Sequence, residues 1–171
     1  MNNYKSKKFK TNQGFSLLEV ILIVAIFLVL AASSTSLVVT KTSEEDLDVK
    51  AREVVDIIAR ARNYAMTGYF GDAWGIKVLD ADSVCVDTGT GDCILLFKGS
   101  DYSARNSGYD ELVNFDSGVY IESAEENEFY FNKISGWLTT TTDKQTIILK
   151  SNFGEQKTVT TTAVGLVFYG D

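Results

Sequence analysis

An α+β chain is predicted from three observations: an uncharged run over residues 20–40, an apolar stripe at helical spacing over 47–65, and period-two patterning beyond Gly68. The first two make one long N-terminal helix, transmembrane in its first part and amphipathic in its second. The third makes a C-terminal antiparallel β-sheet domain on which the stripe can pack. Four segments follow: a leader at 1–14, an apolar helix at 15–40, an amphipathic continuation at 41–68, and a β-rich domain at 69–171.

The leader carries Lys5, Lys7, Lys8 and Lys10 and no acidic residue. That bias keeps the N-terminus on the cytoplasmic side and exports the remainder. Residues 20–40 rise about 31 Å as a helix, close to the hydrocarbon thickness of a bilayer. A single-pass anchor in the bacterial inner (cytoplasmic) membrane is therefore expected, with the β domain periplasmic or extracellular. Ala31-Ala32-Ser33 imitates a conventional signal-cleavage site and stands as the rival reading.

Along 41–68, Leu47, Ala51, Val54, Ile58, Ala61 and Ala65 trace one helical face, while Lys50, Arg52, Glu53, Asp56, Arg60 and Arg62 occupy much of the other. Ser43-Glu44-Glu45-Asp46 has the pattern of an N-cap, so a continuous helix and a locally broken one both fit. Thr67-Gly68 is the expected stop, since Gly takes the left-handed conformation past a last turn. Strands are predicted at 74–79, 84–87, 93–97, 119–122, 128–132, 145–150, 157–161 and 164–169, each short, β-branched or aromatic, and bounded by turn residues. Ile76, Val78, Phe129, Phe131, Ile147 and Leu149 are the candidates to cover the helical stripe. Residues 100–110 read as an exposed loop.

The chemistry-bearing feature is Gly14-Phe15-Ser16-Leu17-Leu18-Glu19. A carboxylate at the edge of an apolar segment is costly, less so than at its centre. Cutting after Gly14 would create an amine on Phe15 four residues from Glu19. This arrangement resembles the type IV prepilin family, the precursors of pilins and type II secretion pseudopilins. The resemblance implies cleavage between Gly14 and Phe15 by a prepilin peptidase, N-methylation of Phe15, and a role for Phe15 and Glu19 in filament assembly. It favours a retained apolar helix over conventional signal cleavage.

Looser matches at Ala59-Arg60-Ala61-Arg62, Trp74-Gly75-Ile76, 129–137 and 146–167 are similar to the H-type minor pseudopilins of type II secretion and the FimT-like minor pilins. The partners implied are the peptidase, other pilin or pseudopilin subunits, assembly-platform membrane proteins and the lipid bilayer. The rival from another class is a bitopic, membrane-anchored binding or adhesin domain that never polymerises.

Three readings of Glu19 stand side by side: pairing with the Phe15 amine of a neighbouring subunit, a local interaction with its own amine or helix N-terminus, and a tolerated edge carboxylate. Cys85 and Cys93 flank a loop with two glycines. A hairpin centred on Gly89 would oppose them as a disulfide; the alternative is two small buried residues on unrelated faces.

Asp80, Asp82, Asp87 and Asp92 near Gly89 and Gly91 suggest calcium or, more simply, turns. No metal and no cofactor is expected, and zinc is disfavoured by the absence of histidine. Phe129-Tyr130-Phe131 alternates as a core strand would. No nucleophile, phosphate-loop or acid–base signature appears, so an enzyme is not expected. Removing the four leader lysines from 16 basic residues leaves 12 against 23 acidic ones, a formal charge of −11. Such a surface disfavours direct nucleic-acid binding.

Overall fold

The computed structural model describes residues 15–79, 84–85, 89–115 and 118–170, with the side chains of 32–42, 84, 89 and 90 excepted. Two compact units divide the chain, Met1–Val39 and Thr40–Asp171. Helix α1 (Leu17–Thr67) contributes to both. Its hydrogen bonding continues through Ser43, so the cap-like sequence there does not open a separate helix.

In the first unit, the side chains from Leu17 to Ala31 are exposed all round the helix. Among the described residues no helix is long and apolar enough to cross a membrane. This corrects the single-pass anchor, and with it the inner-membrane location, expected from residues 20–40. Within the described side chains the apolar stretch carries the carboxylate of Glu19 in its first turn, a costly group in hydrocarbon.

The second unit opens on the remainder of α1. Its stripe of Leu47, Ala51, Val54, Ile57, Ile58, Ala61 and Ala65 is fully buried. The helix stops where Gly68 adopts φ 65°, a left-handed conformation that glycine takes without a Cβ clash. Eleven strands follow among the described residues: β1 (Trp74–Leu79), β2 (Val84–Cys85), β3 (Gly89–Thr90), β4 (Cys93–Lys98), β5 (Glu111–Asn114), β6 (Val119–Ala124), β7 (Glu128–Phe131), β8 (Leu138–Thr139), β9 (Lys144–Ser151), β10 (Gln156–Thr162) and β11 (Val167–Gly170). All their pairings are antiparallel.

One sheet has five strands in the order β5-β4-β1-β7-β8, another four in the order β11-β10-β9-β6, and β2-β3 form a small ribbon. The α+β architecture, with a helix followed by an antiparallel β domain, is thus the one the sequence predicts.

The stripe of α1 shares one core with both larger sheets. Trp74, Ile76, Val78, Ile94, Leu96, Phe129 and Phe131 enter from the five-stranded sheet, and Val119, Ile121, Ile147, Leu149 and Val159 from the four-stranded one. Burying each large side chain stabilises by roughly 1.5–3 kcal/mol, which is why strand alternation and helical period must meet on the same layer. All six strand residues expected to cover the stripe do so.

On the far face of the five-stranded sheet, Phe97 lies across Gly75. A Cβ there would come within 2.3 Å of the ring. Tyr102 packs edge-on against Phe97 at 5.7 Å, so residues 100–110, largely exposed as expected of a loop, are anchored on this face. That segment contains two single-turn 3-10 helices and is tied by an Arg105–Asp110 ion pair of 2.9 Å.

Candidate functional site

Phe15 and Ser16 precede the first turn of α1. The Ser16 carbonyl accepts from the Glu19 and Val20 amides at 3.0 and 3.2 Å, which places Glu19 in that first turn. A helix N-terminus carries partial positive charge from its unsatisfied N–H groups, so a carboxylate there is electrostatically favoured. Phe15 is 76% exposed and Glu19 is exposed.

Phe15 and Glu19 are four residues apart, about one helical turn. The remaining site residue, Gly14, lies outside the described residues. Beyond Glu19 the surface is apolar in every direction: Leu22, Ile23, Ile26, Phe27 and Leu30 are all exposed. What this arrangement can do chemically is limited and specific. It presents one anion at the edge of an apolar cylinder that has no covering partner within its own unit.

Cys85 and Cys93 form a disulfide with Cα atoms 6.2 Å apart. The bond joins them, but not through the hairpin expected about Gly89. Cys85 is opposite Gly89 in the β2–β3 ribbon, while Cys93 begins β4 opposite Leu79 and Asn114. The physical reason is the apolar run Ile94-Leu95-Leu96-Phe97, which is buried in the five-stranded sheet and takes Cys93 with it. The bridge therefore staples the ribbon to that sheet.

Of the four aspartates considered for calcium, Asp80, Asp82 and Asp87 lie outside the described residues. Asp92 is buried, and its Oδ2 accepts from the Ile121 amide at 2.5 Å. Its own carbonyl accepts from Phe115 N at 3.0 Å. That use of Asp92 is structural: one residue ties the start of β4 to β6 in the other sheet. No group of three or more metal-ligating side chains occurs among the described residues.

Phe129 and Phe131 are core residues, as alternation predicts, with Tyr130 on the opposite face. Sequence reasoning missed the surroundings of Arg62. It lies beneath two turns from distant parts of the chain, at Gly136 and Gly165. No local pattern marks such a position, because the covering residues belong to other elements.

The prokaryotic N-terminal methylation motif matches residues 9–35 of the chain, a span that includes Gly14, Phe15 and Glu19. No match was found among curated proteins or among solved structures. The chain therefore carries a prepilin-type methylation motif that runs into the start of α1, ahead of an antiparallel β domain.

Proposed function

We propose that the chain is a minor pilin or pseudopilin subunit. In this reading a prepilin peptidase cuts between Gly14 and Phe15, Phe15 is N-methylated, and the product assembles with other subunits into a type IV pilus or type II secretion pseudopilus. The observation that carries the reading is the methylation motif over 9–35, set directly against an apolar helical surface exposed on all sides.

Equivalent helices are the natural cover for that surface, because each large apolar side chain removed from water contributes roughly 1.5–3 kcal/mol. Packing them brings the Phe15 amine of one subunit into an apolar environment, where an unpaired charge costs about 3–5 kcal/mol. Glu19 of a neighbour supplies the anion. Methylation leaves the amine protonatable, so the pair survives modification.

The test separates processing from assembly. Intact-mass analysis of the protein from its native cells is expected to give a chain that begins at Phe15 and is one methyl heavier than its sequence. Gly14→Val should block the cut, and a start near Ser33 would overturn the assignment. Glu19→Ala should leave cleavage intact while depleting the subunit from sheared filament fractions. Equal incorporation of wild type and variant would remove the intersubunit role.

A further inference from the structure

Four arginines occur in the chain, and three have carboxylate partners: Arg52 with Asp48, Arg60 with Glu111 and Arg105 with Asp110, each at 2.9 Å. Arg62 is the exception. It is half-buried, its Nε is fully buried without a hydrogen bond, and among the described residues it has no ion-pair partner.

One glycine makes room for it and a second for its neighbour Met66. A Cβ on Gly165 would lie 2.5 Å from Arg62 Cδ and Nε, and one on Gly136 would lie 2.3 Å from Met66 Cγ, with Arg62 Cγ in ordinary contact at 3.4 Å. Both glycines have positive φ, 63° and 78° at Gly136 and Gly165, so the turns themselves favour residues without side chains.

The turns are joined to each other and to the helix end: Leu138 N donates to Ala163 O, and Ile134 N to Ala65 O, both at 2.9 Å. The two turns expose Ile134, Trp137, Val164 and Leu166, and the helix end beside them exposes Met66; Ile134 is 75% and Trp137 61% exposed. Ile134 is a β-branched residue at φ 73°, a strained conformation, and its side chain points to solvent rather than core. A cation with an apolar rim that includes Trp is the composition of an interface hot spot.

We propose that this surface docks the acidic helical turn of a second copy of the chain, Glu45 meeting Arg62 and Val49 meeting the Trp137–Leu166 rim. Charge complementarity selects the occupant. Glu44, Glu45 and Asp46 are exposed, and Val49, one turn beyond Glu45, is 53% exposed. They offer a carboxylate beside an apolar side chain, in a groove that Arg52, paired with Asp48, and Lys157 also line. Glu45 and Arg62 are 17 residues apart on α1, about 25 Å of rise, so they cannot meet within one copy. The two patches differ, so the contact is head-to-tail and propagates unless the rotation closes a ring. It deepens the filament reading and rests on it for its setting.

The full chain in a mild detergent that covers the side chains of 15–31 isolates this contact from helix packing. Sedimentation should show salt-sensitive self-association of the wild type. Arg62→Glu and Glu45→Lys should each weaken it at least tenfold with unchanged near-UV circular dichroism, and Trp137→Ala should weaken it as well. The double variant Arg62→Glu/Glu45→Lys should recover association. Monomeric wild type, unaffected single variants, or a double variant no better than the singles would each overturn the contact. Filaments in cells are scored in parallel. Filaments that form normally with Arg62→Glu and Glu45→Lys reject this contact and spare the filament reading. Recovery by charge reversal without any filaments does the opposite.

Discussion

Residues 17–31 and residues 47–65 belong to the same helix by hydrogen bonding, yet their apolar side chains meet opposite fates. In the first stretch they surround the helix and are exposed; in the second they are confined to one stripe and are wholly buried. The difference is periodicity. A stripe repeating every three to four residues matches the face that a sheet can cover, and the chain supplies its own sheets for that purpose. An apolar cylinder has no such face, and no single layer of its own unit can bury it. Periodic apolarity therefore reads as an intramolecular fold signal, and unbroken apolarity as a demand for partners.

The largest effect that could break this contrast comes from shortening one side chain in each stretch. Ile58→Ala, at a fully buried position against both sheets, should lower domain stability by about 2–5 kcal/mol in denaturant unfolding. Leu22→Ala, more than half exposed, should change it by no more than about 0.5 kcal/mol while reducing recovery in sheared filaments. Similar stability losses for the two would mean that residues 17–31 fold against the domain, and the contrast would fall.

An intermediate effect sharpens the picture of the buried half. Cys85→Ser with Cys93→Ser should cost on the order of 2–3 kcal/mol, because the bridge closes a short loop with a sequence separation of 8. Hydrogen exchange should show faster opening in the β2–β3 ribbon than in residues 47–65. Uniform acceleration would show that the staple supports the helix–sheet core itself.

The smallest effect concerns the polar flank of the same helical stretch. Desolvation, followed by the nearby Glu111 charge, raises the Tyr64 phenol above its ordinary value. The Tyr64 hydroxyl donates to Glu111 Oε1 at 3.4 Å, and Arg60 pairs with the other carboxylate oxygen. For a group whose folded pKa is raised, stability is fully present below the unfolded value of about 10 and is lost as pH rises through the folded one. Thermal unfolding above that pH should therefore destabilise the wild type slightly more than Tyr64→Phe. Parallel pH profiles would separate this phenol from the helix–sheet contact.

Much of this architecture is legible along the chain, because it depends on local repetition. The stripe ending at Ala65, the stop at Gly68 and the alternation of Ile147 and Leu149 each show within a window of a few residues. What escapes is set by distant partners. β5 (Glu111–Asn114) is a four-residue edge strand, half-buried throughout, and offers no alternation to read. β8 (Leu138–Thr139) is two residues long. The disulfide is inferable from cysteine spacing, but its placement depends on Cys93 following Ile94–Phe97 into the sheet. The methylation motif is the most legible feature of all, since Gly14 to Glu19 is one unbroken run of sequence within 9–35. The Arg62 surface is the least, because Gly136 and Gly165 must first be brought to it.

The central position of β1 governs when the helix can be covered during synthesis. β1 pairs with β4 on one side and with β7 on the other, and the same core also takes Val159 from β10. A nascent chain that has completed residues 47–65 thus presents an apolar stripe that is not fully covered until roughly 100 more residues have emerged. At about 5–20 residues per second that interval is on the order of 5–20 s. Over those seconds the growing chain exposes two sticky stretches rather than one, and a holding chaperone that recognises amphipathic helices would compete with aggregation for the second. The order of the strands sets the length of that vulnerable window.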